Sequence, residues 1–292
     1  MLPKLMITGA SGFLGWNLCR EALGKWEVCA LCHTHRIRMR GVIPISLDIT
    51  DAAGLKTLFH EIQPDAVIHT AAESRPDYCQ QHPHETRVIN VDASANIASL
   101  CADWRIPCVF TSSDLVFDGQ NPPYSEAEAV NPVSLYGEQK AEAEALMQAR
   151  YPGTSVCRMP LMFGYSEGAS RGSDHQMIRT LREGKSVRLF SDEYRTPVDA
   201  QSAARGLLLA ADKACGRLHL GGRTRISRYE MGKIVVRLLN VNASQVIPIL
   251  QKDMTLPAPR PRDVSLDSSK AYAMGYDPRD IEESHIFSWS CS

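Results

Sequence analysis

The chain has 292 residues, 44% hydrophobic and 22% charged, with a formal net charge of −1 at pH 7. That length supports one large α/β domain or two modest ones, and a near-neutral chain without a basic block offers nothing to a nucleic acid or a membrane surface. No apolar run approaches the roughly 20 residues that span a bilayer, and the opening MLPKLMITGASGFLG lacks the charged, apolar and cleavage regions of a signal peptide, so the expected location is cytoplasmic.

In chain order, the apolar run KLMIT predicts a first strand and residues 14–23 a helix. EVCAL and VIPIS predict two strands, with a helix over 51–62. DAVIHT, a helix over 86–104, CVFTS, a helix over 135–150 and SVCRM complete the pattern. Alternation of this kind predicts an α/β fold, a Rossmann-type doubly wound parallel sheet covered by helices on both faces. Ligands of such sheets bind beyond the carboxyl ends of the strands, where the strand order reverses.

After about Pro160 the rhythm changes. FGYSEGASRGSDH reads as a loop, followed by helices over 175–183, 200–211 and 228–239, short strands in RLHLGG and VIPIL, and an irregular proline-rich LPAPRPRDVSL. The expected division is a cofactor-binding Rossmann domain over 1–160 that carries the chemistry. A smaller C-terminal substrate lobe over 161–292 sends some segments back to the first domain.

MITGASGFLGWNL places Gly9, Gly12 and Gly15 between the first strand and the first helix. Gly9 allows a tight turn, Gly12 lets the backbone approach a pyrophosphate, and Gly15 lets helix and strand pack closely, while the helix N-terminus offers N–H groups to phosphates. Ser11, Phe13 and Leu14 lie in the same turn. After the second strand an acid would favour NAD(H). The sequence there is LCHTHRIRMR, so His35 and Arg36 favour the 2′-phosphate of NADP(H), with NAD(H) as the alternative. Asp48, in LDITD with Ile49 beside it, is placed to accept from the adenine amino group. Ala71 and Ala72, after the fourth strand, let the backbone come close to the nicotinamide ribose or simply pack strand against helix.

TSSDLVFDG ends the fifth strand with Ser112 and Ser113, and NPVSLYGEQKAEAE places Tyr136 and Lys140 four apart on one helix face. A phenol is a poor acid–base group near neutrality, and a nearby ammonium is expected to lower its pKa. With the hydroxyl of Ser113 at a substrate oxygen and a nicotinamide alongside, these groups make a carbonyl reductase or alcohol dehydrogenase.

In this register the chain resembles the short-chain dehydrogenase/reductase superfamily in its extended form. SSDLVFDG, PPYSE, NPVSLYGEQKAEAE and RPRDVSLDSSKAYAMGY are similar to the dTDP-4-dehydrorhamnose reductase family, nearly end to end. The resemblance implies Ser113, Tyr136 and Lys140 as the catalytic set, a nucleotide-sugar substrate, and a place in dTDP-rhamnose biosynthesis. Tyr136 would donate a proton to the C4 oxygen as hydride attacks C4, and Lys140 would orient the ribose. Reductases of that family usually carry threonine followed by Asp-Tyr where this chain has Ser113, Asp114 and Leu115, so the hydroxyl is kept and the substrate contacts differ.

HTAAESRPDYCQQHP and INVDASANIASLCA resemble the regulatory β subunit of methionine adenosyltransferase still more closely. That relative binds NADP and acts on a partner enzyme, so a cofactor-binding interaction subunit is the second expectation, and another sugar-nucleotide reaction such as epimerisation the third. Either a monomer or a homodimer is compatible with the sequence. Asn90, which opens NVDASANI, resembles the helix that lines the cofactor side of this fold.

Arg75, Asp114 and Arg260 are the substrate-side candidates. For Arg75 a substrate phosphate or a surface acid, and for Arg260 and Arg262 a pyrophosphate or a salt bridge, are both open. Arg195 is read as part of the substrate lobe, Asp199 as a helix N-cap and Arg158 as structural. The nine cysteines are scattered and read as buried thiols. Cys29 and Cys32 form C-x-x-C on a strand, where their side chains face opposite ways, so no redox motif is expected. Cys79, His82, His84 and Glu85 read as a helix end and turn, and no metal is expected.

Overall fold

The computed structural model describes residues 1–167, 174–213 and 216–283. Its first part runs β1 (Lys4–Thr8), α1 (Phe13–Ala22), β2 (Glu27–Cys32), β3 (Val42–Ser46), α2 (Ala52–Ile62), β4 (Ala66–His69), α3 (Pro76–Gln81), α4 (Pro83–Arg87), α5 (Ala93–Trp104), β5 (Cys108–Ser113), α6 (Leu135–Arg150) and β6 (Thr154–Met159). There follow β7 (Met162–Phe163), α7 (His175–Arg182), β8 (Val187–Phe190), β9 (Tyr194–Arg195), β10 (Val198–Asp199), α8 (Ala200–Lys213), β11 (Gly216–His219), β12 (Ile226–Ser227), α9 (Arg228–Leu239), β13 (Val246–Ile249) and α10 (Ser269–Ala273).

Among the described residues the main sheet has seven strands in the order β11-β6-β5-β4-β1-β2-β3, each neighbour pair parallel. The order reverses between β1 and β4, which is where the glycine turn sits. All residues of β4, β5 and β6 are buried, as apolar runs covered on both faces must be. One face packs Leu14, Leu18, Ala203 and Leu207 of α1 and α8 against Ile7 and Ile68. The other packs Leu55, Phe59, Ile97, Ala143 and Met147 against Met6, Val67 and Phe110. β3 carries Pro44 and lies at the sheet edge, where a missing N–H costs no ladder bond.

The second part of the chain is divided between two places. β11, which overlaps the predicted RLHLGG, pairs with β6 and extends the main sheet. Phe163, Met177, Leu181, Met231 and Val235 form a separate small core, which is the lobe. Asp199 caps α8, accepting from the Ser202 N–H at 2.9 Å. Residues 168–173 of the predicted loop, and Cys215 and Cys291, lie outside the described residues; the seven described cysteines are buried free thiols.

The helix predicted over 86–104 is not uniform. It begins at Pro83, passes through a π-helical turn at Val88–Asp92, and becomes α-helical again in α5. Asn90 lies within that turn, and the next section shows what it holds there. Arg158 is fully buried and donates to both carboxylate oxygens of Glu144, at 3.0 and 2.8 Å, and Ser112 donates to the same carboxylate. That ion pair ties α6 to the sheet.

Candidate cofactor and catalytic cleft

A cleft of about 1670 Å³ opens at the carboxyl edge of the sheet, between the strand ends and the lobe. Single small-molecule sites usually enclose about 300–1,000 Å³, so this one has room for two ligands.

The glycine turn forms one end of the cleft. Gly9 has φ +67°, and a Cβ there would lie 2.7 Å from Cα of Ala71. Gly15 is closer still: a Cβ would lie 2.2 Å from the Gly9 carbonyl oxygen, so helix and strand meet at a distance only glycine permits. Ser11, Gly12, Phe13 and Leu14 line the cleft here. α2 and α6 are capped by the side chains of Asp51 and Ser134, whereas α1 has no side-chain cap and no acid in its first turn. Its leading N–H groups are thus left for an anion, and the cradle fits a dinucleotide pyrophosphate.

Beyond β2, His33, Thr34 and His35 line the cleft, with Leu47, Asp48 and Ile49 opposite. Asp48 faces His33 at 3.6 Å and accepts from the Thr50 N–H at 2.9 Å, which holds its carboxyl below the usual range. Arg36 corrects the expectation made for it. It is exposed and does not line the cleft, because the next residue, Ile37, is anchored in the core with α1 and its flanking arginines stay in solvent. Ala71 and Ala72 do line the cleft, and the Ala71 N–H donates to the Thr8 hydroxyl at 3.2 Å.

Asn90 requires a second correction. It is fully buried, and its amide accepts from the Glu73 N–H at 2.9 Å and donates to the Glu73 carbonyl at 3.0 Å and to Gln139 at 2.9 Å. Its side chain is spent on Glu73 in the 72–75 loop and on Gln139 of α6, and it does not line the cleft.

Ser113, Tyr136 and Lys140 all line the same cleft. The Ser113 hydroxyl accepts from the Leu115 N–H at 3.1 Å and donates to Asp114 at 3.2 Å. Ser134 caps α6 and so fixes where that helix begins, two residues before Tyr136. Lys140 stands one turn further on, 2% exposed, with Nζ 4.1 Å from the Phe110 ring centroid. The electrostatics differ from the simple expectation. Burial, reinforced by the Asp114 carboxylate, pushes the phenol well above its ordinary value, so Tyr136 keeps its proton near neutrality. Burial brings Lys140 down to about 7.

The charged residues expected on the substrate side are mostly engaged with each other. Asp114 is 3% exposed and faces Arg195 at 3.3 Å, and burial raises its pKa to about 6. Arg75 is gripped by both carboxylate oxygens of Glu73, at 2.8 and 2.7 Å, and lies over the Tyr78 ring. Arg260 donates to Asp77 at 2.9 Å, and Arg262 is exposed away from the cleft. All three expected contacts, Asp114, Arg75 and Arg260, therefore line the cleft as halves of ion pairs rather than as free groups. Arg188, Glu193, Arg195 and Arg228 complete the lobe wall with Leu189, Phe190 and Leu256. Apart from Arg195, sequence reasoning had no signal for these residues, since 187–190 carried no predicted element and 228 read only as a helix start. Cys79 is turned inward to the Glu73 carbonyl and His82 stacks on Tyr78; among the described residues no group of three or more His, Cys, Asp or Glu is arranged to hold a metal. No described helix is long and apolar enough to cross a membrane.

Comparison with known proteins agrees with this architecture. Residues 3–285 match the family described as RmlD substrate binding domain. Methionine adenosyltransferase 2 subunit beta from Bos taurus is 30% identical over 284 residues, which cover 94% of this chain and 84% of that protein. The crystal structure of a hypothetical dTDP-4-dehydrorhamnose reductase from Sulfolobus tokodaii superposes with a TM-score of 0.81 at 29% identity, covering 92% of this chain and 94% of that one. A dTDP-4-dehydrorhamnose reductase from Bacillus anthracis, solved in complex with NADP, shares the fold at a TM-score of 0.83 and 22% identity, with 95% and 94% of the two chains covered. The family match takes in the glycine turn, the serine–tyrosine–lysine set and the lobe alike, and the chain belongs to the RmlD substrate-binding family, within the extended short-chain dehydrogenase/reductases.

Proposed function

We propose that this protein is an NADPH-dependent reductase of a nucleotide-linked 4-keto-deoxysugar, resembling dTDP-4-dehydrorhamnose reductase. The observation that carries the reading is the convergence of Ser113, Tyr136 and Lys140 in the same cleft as the uncapped glycine turn. Gly9, Gly12, Gly15 and the first turn of α1 would hold the cofactor pyrophosphate. The absence of an acid at the end of β2, with His33 and His35 in its place, supports NADP(H) over NAD(H). The reduced nicotinamide supplies hydride when bound.

The chain's own residues account for the proton. Tyr136, protonated at neutral pH, is a donor to the C4 oxygen, and the Ser113 hydroxyl hydrogen-bonds that oxygen as negative charge develops on it. Lys140, one helical turn away with a pKa near 7, exchanges a proton in the physiological range and can replace the one Tyr136 gives up.

The test is NADPH consumption with dTDP-4-dehydrorhamnose generated in situ. Tyr136→Phe is expected to lower kcat by about 10²–10⁴ with unchanged NADPH affinity. Tight NADPH binding without turnover of this substrate overturns the substrate assignment, and tighter NADH binding overturns the cofactor preference. A second reading, an NADP-binding regulatory subunit, is favoured by the 30% identity to methionine adenosyltransferase 2 subunit beta. Co-purification with a methionine adenosyltransferase, together with no turnover, would select it.

A further inference from the structure

We infer that Arg228 is the residue that receives a phosphate of a nucleoside diphosphate in the lobe half of the cleft. The inference rests on the proposal that a nucleotide-linked ligand shares the cleft with the cofactor, and it names the group that recognises it.

Five arginines line the cleft: Arg75, Arg188, Arg195, Arg228 and Arg260. Three are already matched by carboxylates: Arg75 by Glu73, Arg195 by Asp114 and Glu193, and Arg260 by Asp77. Arg188 is exposed, where water and salt screen it. Arg228 is partly buried and, among the described residues, has no ion pair; its guanidinium makes one weak contact, to Met231 Sδ at 3.7 Å. Residues 168–173, 214–215 and 284–292 contain no Asp or Glu that might supply a partner.

Its position makes the lone charge more costly. Arg228 is the first residue of α9, and a capping box between Ser227 and Glu230 fixes that end. A cation there sits at the positive end of the helix dipole. Arg195 adds repulsion, while Glu193 and Asp174 offset part of it from a distance, and burial depresses the guanidinium pKa. The backbone is held as well, with the Arg228 N–H donating to the Glu193 carbonyl at 3.0 Å. A preorganised cation with no ion-pair partner among the described residues is a receptor for an anion.

The anion differs from the cofactor phosphates, whose cradle is at α1. α9 belongs to the lobe and packs against β8 and β13. Phe190 and Leu256 on the same wall offer apolar surface to a base, so a nucleoside diphosphate fits better than a bare phosphate.

The experiment is calorimetric titration of dTDP and UDP into the NADP⁺-saturated protein. Arg228→Met is expected to weaken binding by about tenfold or more, with NADP⁺ affinity retained and partial recovery in Arg228→Lys. Arg260→Met is expected to lose less, since its charge is already paired. Arg228→Gln, which keeps polar bulk, is measured in the same way should the methionine variant not fold. The inference is overturned if wild type binds neither diphosphate, if neutral Arg228 variants bind like wild type, or if Arg260→Met loses more. Because the readout is binding, it separates from the reductase assignment. Arg228-dependent dTDP binding without turnover of dTDP-4-dehydrorhamnose leaves the inference standing and overturns the substrate assignment, whereas turnover with Arg228-independent binding sinks the inference alone.

Discussion

Replacing Gly15 by alanine tests the link between the glycine turn and cofactor affinity. The new methyl would lie 2.2 Å from the Gly9 carbonyl oxygen and 2.7 Å from Cα of Ala10. Both are backbone atoms, so relief requires α1 to retreat from β1 by about 1 Å to regain van der Waals contact. Overpacking of this kind costs about 1–3 kcal/mol, here at the upper end, and removing a helical glycine returns up to about 1 kcal/mol. The net loss of about 2 kcal/mol corresponds to a melting temperature lower by about 4–8 °C. The retreat also withdraws the α1 N–H groups from the pyrophosphate, and NADPH affinity is expected to fall about tenfold or more, each tenfold being about 1.4 kcal/mol. Gly12→Ala is the comparison. Gly12 has an ordinary φ of −75°, and its Cβ would meet only the Gly9 oxygen at 3.0 Å. It should melt close to wild type yet bind NADPH poorly, because its methyl occupies the path of the phosphates. Fluorescence titration of NADPH and thermal unfolding of the three proteins decide the matter. A Gly15→Ala protein with wild-type melting and wild-type affinity, or a Gly12→Ala protein with undiminished affinity, would refute the reasoning.

The buried Arg158–Glu144 pair offers a stability test. Arg158→Met leaves the Glu144 carboxylate uncompensated and should cost about 3–5 kcal/mol in urea unfolding, while Arg158→Met with Glu144→Leu should recover most of it; a single variant within about 1 kcal/mol of wild type contradicts this. The pH dependence has a defined sign. Burial holds His69 and His219 at a pKa of about 3, against 6.5 for a free imidazole. Each therefore stabilises fully above pH 6.5 and loses that contribution as pH falls toward 3, about 2 kcal/mol per imidazole by pH 5. Asp114 and Asp174, raised to about 6, act in the opposite direction, since the folded state takes up their protons first. The change in unfolding free energy between pH 7 and 5 should therefore be smaller in His219→Gln than in wild type by about 2 kcal/mol. Equal changes in the two proteins would remove His219 from the account.

Much of the fold was legible in the sequence because its determinants are local. KLMIT and VIPIS coincide with β1 and β3, and the helix predicted over 135–150 is α6 to the residue. Apolar runs, helical periodicity and a glycine turn act over a few residues, so they can be read without knowing what packs against them. The spacing of Tyr136 and Lys140 is local in the same sense.

The state of the charges was not legible. Arg260 and Asp77 are 183 positions apart, yet their pairing decides that Arg260 is not a free cation. Arg195 reaches the site by way of Asp114, and Asn90, within a π-helical turn, is tied to Glu73 in the 72–75 loop, 17 positions away. Lys140 has its proton affinity lowered by burial rather than lending its charge to Tyr136. Sequence determined which chemical groups stand at the ends of which strands. Only the tertiary structure decided which of them are neutralised, buried or left open to a ligand, because solvation and Coulomb energy depend on neighbours in space.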